Sequence, residues 1–471
     1  MKIEDLPLLT PEKKIELILL QAEQVQLLKE VVKNLKDKIK KLQCKNSNNS
    51  HKPPSSDQNR KKKKTQSLRK KSGKNPGGQP GHKGDTLKKV ANPDEIIIHS
   101  VESCQKCNNK LNKRADNIQS RQVFEIPEPK FIVTEHQVEI KRCRCCNHVN
   151  TGEFPEGVIN STQYGEKAKG LIVYLHHGQL LPYKRLKELF QEIYKQNIST
   201  GTLVNTINSG ADRLVFIENN IKTLLINSQI LHNDETGINI SGEKQWLHVA
   251  GNKTLTHYSV HKKRGFDAME DIGILSKFKG TMIHDHWKSY FKYTQPNHAL
   301  CNAHHLRELK YIHEIQGFKW AAEMTDLLLR MRNNRKLAVQ NNKSFFPKQT
   351  ITKYINAYNF VIKKGKTEQA IRGTLDSKNL LKRFEKYSKE TLLFIHDFNV
   401  PFSNNQGEQD IRMHKVKQKI SGGFRTSKGA KAFCTNRGII STAIKNGKNV
   451  LDILQKNFQN ILSIEYLTDS S

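Results

Sequence analysis

Apolar positions at the start of the chain recur in steps of three and four: Ile18, Val25, Leu28, Val32, Leu35, Ile39 and Leu42, with Gln21 filling the polar step. That is a heptad seam, and it predicts a helix within 1–45 that pairs as a short coiled coil. A helix packed on the rest of the protein gives the same pattern. Thr10-Pro11-Glu12 marks its beginning, a capping hydroxyl followed by proline in the first turn. The periodicity then stops. Residues 46–92 hold Pro53-Pro54-Ser55-Ser56, a basic stretch from Arg60 to Lys74 and Gly77-Gly78-Gln79-Pro80-Gly81. With no apolar period to build a core, this reads as a basic Pro/Gly-rich linker, disordered in isolation.

Short strand patterns broken by cysteine pairs follow from Ile96 to Gly152, giving a small domain over 93–155. Over 160–222 the period is helical. Pro182 to Phe190 reads as one helix, Asn197 to Thr200 as a turn and cap, and Gly201 to Ile207 as a second helix. The pair is a candidate helix-turn-helix with Thr202 and Asn205 on the groove-entering helix, although a plain helical hairpin has the same signature. Strand-like segments follow near 229–240, 245–251, 255–261 and 280–284, with a helical stretch around 267–277. Apolar Ala299–Cys301 leads into a helix through Tyr311. Residues 316–398 read as mostly helical. Within 399–465 a helix-to-turn pattern around 404–417 precedes a Gly-rich loop and a last helix from about Ala430. The chain is therefore expected to be multidomain α+β.

Charge sharpens this picture. Lys and Arg number 79 against 45 Asp and Glu, a formal charge of +34. Such an excess points to a polyanionic partner, above all nucleic acid. Arg60, Lys61, Lys62, Lys63 and Lys64, with Lys70 and Lys71, suit phosphate contacts that are salt-sensitive and blind to sequence. No apolar run is long enough to span a bilayer, and the opening MKIEDLPLLTPEKK lacks a signal peptide's apolar core. An intracellular protein is expected, with no membrane partner. Eight cysteines in a reducing compartment argue for metal ligands or buried thiols. Cys104-x-x-Cys107 and Cys143-x-x-Cys146 together match a four-thiolate structural zinc site, with Cys145 as a spare. Lys141, Arg142 and Arg144 beside the second pair add candidate nucleic-acid contacts.

Candidate chemistry lies in three acids. Gln229 to Gly237 looks like a buried strand that ends on an acid, Asp234, and Thr281 to Trp287 repeats the logic at Asp285. Carboxylates at strand ends beside apolar neighbours are poorly placed unless a divalent cation sits between them. A third acid follows in Asn404-Asn405-Gln406-Gly407-Glu408, where either Asn caps a helix and Glu408 falls in its first turn. Two Mg²⁺ or Mn²⁺ ions held by Asp234, Asp285 and Glu408 would activate a water or 3′-hydroxyl and stabilise a leaving oxygen. Each acid alone also reads as an ordinary surface or capping residue, and Glu235 and Asp410 are decoys beside them. His284-x-His286 offers an imidazole-based metallohydrolase as an alternative, disfavoured because such phosphoryl chemistry prefers oxygen donors. No Gly-x4-Gly-Lys-Ser/Thr phosphate loop occurs.

Taken together, these words resemble the large transposase of the IS66 family of insertion sequences over nearly the whole chain. The resemblance rests on Lys52 to Asp57, Gly77 to Gly84, the paired Cys-x-x-Cys knuckles, Asp234-Glu235-Thr236, Asp285, and Asn404-Asn405-x-x-Glu408 with Arg412 following. It implies an RNase H-like α/β catalytic core formed by 225–315 and 399–465 around a helical insertion at 316–398, and a DDE mechanism, in which water frees 3′-OH ends that then attack target DNA. It also implies double-stranded DNA partners (terminal inverted repeats and target), small accessory proteins of the same element, and a homo-oligomer on DNA in the bacterial cytoplasm, associated with the nucleoid. Arg412 and Lys415 are candidate DNA contacts. Two departures stand out. His284, His286 and Trp287 surround the second Asp in place of a small residue and an aromatic. Cys301-x-x-His304 resembles a motif found after the second Asp in several transposase groups, and one Cys with one His does not close a zinc site. The rival readings are a DNA-binding regulator with an inactive core, and a metal nuclease that cleaves without joining.

Overall fold

The computed structural model describes residues 10–43, 87–111 and 114–468. Helix α1 (Pro11–Gln43) begins at the proline expected to open it. Its seam residues Ile18, Val25, Leu28, Val32, Leu35 and Ile39 are all exposed. The side chain of Leu42 and the basic residues Arg60, Lys61, Lys62, Lys63, Lys64, Lys70 and Lys71 lie outside the described residues.

The chain divides into two units, 62–134 and the remainder. In the first, Val90 and Gln122 exchange a pair of 2.8 Å hydrogen bonds, and Ser103 bridges Lys110. Most of the strands expected between Ile96 and Gly152 do not form. Regular pairing among the described residues there is limited to β1 (Ile140–Arg142) against β2 (Val149–Thr151), in the second unit. Ile96, Ile98, Val123, Ile126, Ile132 and Val133 are exposed, so alternation here has no buried face to define a register.

In the second unit, helices α2 (Glu166–Val173), α3 (Tyr183–Tyr194), α4 (Thr200–Arg213) and α5 (Val215–Ile226) precede the main sheet. Lys195 stops α3 in the left-handed conformation, and Ser199 caps α4 by accepting from Thr202 N–H at 3.0 Å. The two expected helices therefore exist, each longer than the sequence pattern suggested, because Leu203, Ile207 and Ala211 bury one stripe of α4.

The five-stranded sheet runs β5-β4-β3-β6-β7, formed by β3 (Ile230–Ile240), β4 (Glu243–Gly251), β5 (Thr256–His261), β6 (Thr281–His284) and β7 (Asn297–Leu300). β3, β4 and β5 are antiparallel, while β6 and β7 run parallel to β3. Helix α6 (Phe266–Ile272) connects β5 to β6. Beyond β7, α7 (Asn302–Glu314), α8 (Lys319–Gln340), α9 (Lys348–Arg372), α10 (Leu375–Lys386) and α11 (Ser388–His396) pack around Trp320, Tyr358 and Phe384. This is the expected helical insertion. The chain then returns to the sheet with α12 (Asn405–Ser421) against β3 and β4, and α13 (Ser427–Lys445) against β5. α13 begins slightly before the expected Ala430, and α14 (Val450–Phe458) and α15 (Ile464–Thr468) follow it. No helix among the described residues is long and apolar enough to cross a membrane.

Candidate active site

The sheet register sets the site. β3 pairs with β6 as Ile230↔Thr281, Leu231↔Met282 and His232↔Ile283. Continued two residues, that offset sets Asp285 against Asp234 in the same row, but the pairing itself stops at His232↔Ile283 and Asp285 lies just past β6; the two are near enough for the charge of Asp285 to raise the Asp234 carboxyl. β6 pairs with β7 up to His284↔Leu300, and Cys301 N–H donates to His284 O at 3.0 Å. Cys301 thus extends the same row. Both aspartates are half-buried. Burial lifts the Asp234 carboxyl well above the usual carboxylate range, and the charges of Glu235 and Asp285 add to the effect. Backbone N–H groups orient them, Glu235 N to Asp234 Oδ1 and Trp287 N to Asp285 Oδ1, each at 2.9 Å.

Glu408 comes from the first turn of α12. Asn404 is the N-cap residue, as the sequence suggested, but its side chain does not cap. It reaches back to β3, accepting from His232 Nδ1 at 2.8 Å and donating to Asn233 O at 2.7 Å. Its own N–H donates to Cys301 Sγ at 3.1 Å, and its carbonyl accepts from Glu408 N–H at 3.1 Å. Gly407 makes room for this clamp, since a Cβ there would lie 3.0 Å from both Asn404 side-chain heteroatoms. Glu408 Oε2 is 3.5 Å from Arg307 Nη2, and Oε1 is 3.9 Å from His304 Nδ1. His304 in turn is close enough to Asp234 for its charge to be felt there. Burial depresses His304, but the Cys301 thiol and the Glu408 charge outweigh it and raise it to about 9. His304 thus links Glu408 to Asp234, and Asp234 is in turn close to Asp285. Neither Arg307 nor the Asn404 clamp has a sequence signature; the Cys-x-x-His spacing at a strand end was the visible signal for His304.

The decoys are engaged elsewhere. Glu235 is buried and bonded by Arg264 at 2.5 Å and 2.9 Å and by Tyr290 Oη at 2.6 Å, with the charge of Asp285 still felt there. Arg264 stacks on Trp246 and Trp287. Asp410 pairs with Lys445 at 2.8 Å in a buried setting. The imidazole alternative finds no support: His284 is fully buried, with its nitrogens on Asp285 O and on His298, and His286 packs on Tyr387.

On α12, Glu408, Arg412 and Lys415 share a face by helical spacing. Arg412 is exposed, and Lys415 is near enough to Asp234 to be influenced by it. Thr202 is half-buried beside Ser199, whereas Asn205 is exposed next to Arg213 and Lys428. Lys141, Arg142 and Arg144 are exposed, Lys141 pairing with Glu139. The cysteine knuckles share one design. Cys104 N–H bonds Asn109 O and Asn108 N–H bonds Cys104 O, just as Cys143 N–H bonds His148 O and Asn147 N–H bonds Cys143 O. Asn108 and Asn147 both adopt φ of 58°. Backbone N–H groups and the second thiol hold Cys104 and Cys143 below the usual thiol range, which suits thiolates offered to a soft cation. One knuckle falls in each unit.

A strongly basic chain that carries two thiolate knuckles and holds Asp234 and Asp285 close together has the make-up of a nucleic-acid-processing protein. The comparisons narrow this. The family model described as Transposase IS66 family matches residues 161–432, more than half of the chain, and the zinc-finger binding domain of transposase IS66 matches 102–147. The chain belongs to the IS66 transposase family. A family of unknown function matches residues 7–88. No curated protein matches the chain. Family membership makes this a DNA-recombining enzyme, and the zinc-finger match spans all four knuckle cysteines.

Proposed function

We propose that the chain is a DDE transposase with an RNase H-like core, cutting and joining DNA through Asp234, Asp285 and Glu408. The observation that carries this reading is the proximity of Asp285, just past β6, to Asp234 on β3, with Glu408 on α12 linked to Asp234 through His304. Two aspartates near enough for the charge of one to raise the other, and a Glu408 Oε1 that is buried without a hydrogen-bond partner, fit divalent magnesium. Two such ions would supply a Lewis acid for the scissile phosphate and a more acidic attacking water. The chain's own residues fix the geometry. The sheet holds the two aspartates close together, the Asn404 clamp sets the depth of Glu408, and Arg412 and Lys415 lie where they would hold phosphates. Terminal inverted repeats and target DNA are the proposed substrates, gripped by the basic linker, the zinc module and α4 with Thr202 and Asn205. Cys104, Cys107, Cys143 and Cys146 are the proposed zinc ligands. The exposed seam of α1 supports a coiled coil with a second copy on DNA, and accessory proteins of the same element are proposed partners in the bacterial nucleoid.

The test is incubation of the purified protein with Mg²⁺ and labelled DNA carrying the element's terminal repeats, beside Glu408→Gln. Nicking at the repeat tip and joined products, both lost in the variant, are expected. Cleavage that survives Glu408→Gln overturns the third ligand, and binding without cleavage in both proteins favours a regulator.

A further inference from the structure

Cys301 Sγ, a ring nitrogen of His304 and a carboxylate oxygen of Glu408 lie within 4.8 Å of one another. Cys301 ends β7 and begins α7, so the i, i+3 spacing turns His304 back over the thiol, with His304 N–H on Cys301 O at 3.1 Å. Glu408 closes the group from α12. From this juxtaposition we propose that Cys301, His304 and Glu408 form a second cation site, selective for a thiophilic divalent ion of the Zn²⁺ class.

The donor set argues for that class. Asp234 and Asp285 offer only oxygen, which suits magnesium, whereas a thiolate, an imidazole and a carboxylate are zinc ligands. Two donors stand ready: His304 Nδ1 and Glu408 Oε1 are both buried and without a hydrogen-bond partner. They are 3.9 Å apart. Ligands at roughly 2.0–2.3 Å in a tetrahedron sit about 3.3–3.8 Å from each other, so small side-chain rotations close the site. The N–H of Asn404 on Cys301 Sγ orients the thiol from behind, as outer hydrogen bonds commonly do. Arg307 touches only the other oxygen, Glu408 Oε2, and leaves Oε1 to the ion. Three protein ligands leave a fourth position for water.

The consequence rests on the proposed DDE reading. Glu408 then belongs to two sites, and a thiophilic ion holding it against Cys301 withdraws it from Asp234 and Asp285. Zn²⁺ would inhibit magnesium-dependent cleavage from within the active site.

The site itself is tested on full-length protein given one equivalent of Zn²⁺, enough to fill the tighter four-thiolate site, and then titrated with Co²⁺, following thiolate-to-cobalt absorption. Wild type is expected to develop this band, and Cys301→Ser to lose it. His304→Gln and Glu408→Gln should weaken cobalt binding at least tenfold. His304→Gln, at a half-buried position, keeps the test decisive if Cys301→Ser misfolds by circular dichroism. Equal titrations in wild type and variants overturn the site. In the nicking assay, Zn²⁺ should inhibit wild type at concentrations at least tenfold lower than Cys301→Ser. Equal inhibition overturns the regulatory consequence. If no nicking occurs under any condition, the transposase reading fails while the cobalt titration still decides the site.

Discussion

Asn404 offers the sharpest test of how the third carboxylate is placed. It is 3% exposed, and its side chain satisfies His232 Nδ1 at 2.8 Å and Asn233 O at 2.7 Å. Asn404→Ala leaves both groups buried without a partner, at about 1–3 kcal/mol each. A total of about 2–6 kcal/mol corresponds to a fall of about 4–24 °C in Tm for a unit of this kind. The first turn of α12 also loses its tie to β3, and a shift of about 1 Å in Glu408 is worth about 10²-fold in rate. Asn404→Asp separates the two effects. It keeps the volume and the His232 bond but sets a carboxylate oxygen against Asn233 O where an N–H had donated. It should be destabilised as well, despite creating no cavity. The assay is thermal melting followed by circular dichroism, beside magnesium-dependent nicking. An Asn404→Ala protein within about 0.5 kcal/mol of wild type, with unchanged nicking, refutes the clamp.

Asp234→Asn should abolish nicking and yet raise Tm, by about 1 kcal/mol of stability, because it removes a charge that burial and Asp285 both disfavour; a lower Tm contradicts this. Acid should unfold the unit that holds the site. His232 and His248 are depressed to about 4 and His305 to about 3 by burial, so the unfolded chain binds protons that the folded one refuses. Stability is full above the ordinary histidine value near 6.5 and falls as pH drops below it. At pH 5 each of these three costs about 2 kcal/mol, which His304, raised to about 9, offsets only in part. A Tm that is flat between pH 7 and pH 5 would rule this out. Replacing Arg60, Lys61, Lys62, Lys63 and Lys64 by Ala should flatten the salt dependence of DNA binding, by about 0.9 in log–log slope for each phosphate no longer neutralised. An unchanged slope would show that the linker does not touch the DNA backbone.

Much of the sheet was readable because its strands carry strong local patterns. Ile230 and Leu231 mark a strand leading to an acid, but β3 does not end at Asp234 as expected: it runs on to Ile240, because β4 pairs with it that far. The insertion was readable from its helical period. What could not be read depends on long-range pairing. β7 is four residues long, and only its register against β6 reveals that Cys301 joins the row of Asp234 and Asp285. Asn404 shows a local rule overridden. Helix-capping preference predicts that its side chain bonds the first turn, but His232 Nδ1 and Asn233 O are buried and otherwise unsatisfied there, so they claim it. Between Ile96 and Gly152 the alternation misled, because no second sheet face waits to bury it.

The return from the insertion also explains how so long a detour leaves Glu408 in register with acids far back in the chain. The insertion helices bury Trp320, Tyr358 and Phe384 largely among themselves. The segment entering α12 takes its position from the strand ends instead: Asn302 N–H holds Phe402 O at 3.1 Å, Cys301 Sγ holds Asn404 N–H, and β3 holds the Asn404 side chain. Asn302 has a further bond, from Nδ2 to Thr391 O at 3.0 Å, which ties α11 to the same point. Entry to and exit from the insertion are thus fastened together at Cys301–Asn302 and Phe402–Asn404. The helices between can change in length or packing without moving Glu408, as long as that fastening holds. A substitution at Asn302 acts on both ends at once, and its effect should reach Glu408 even though Asn302 touches none of the three acids.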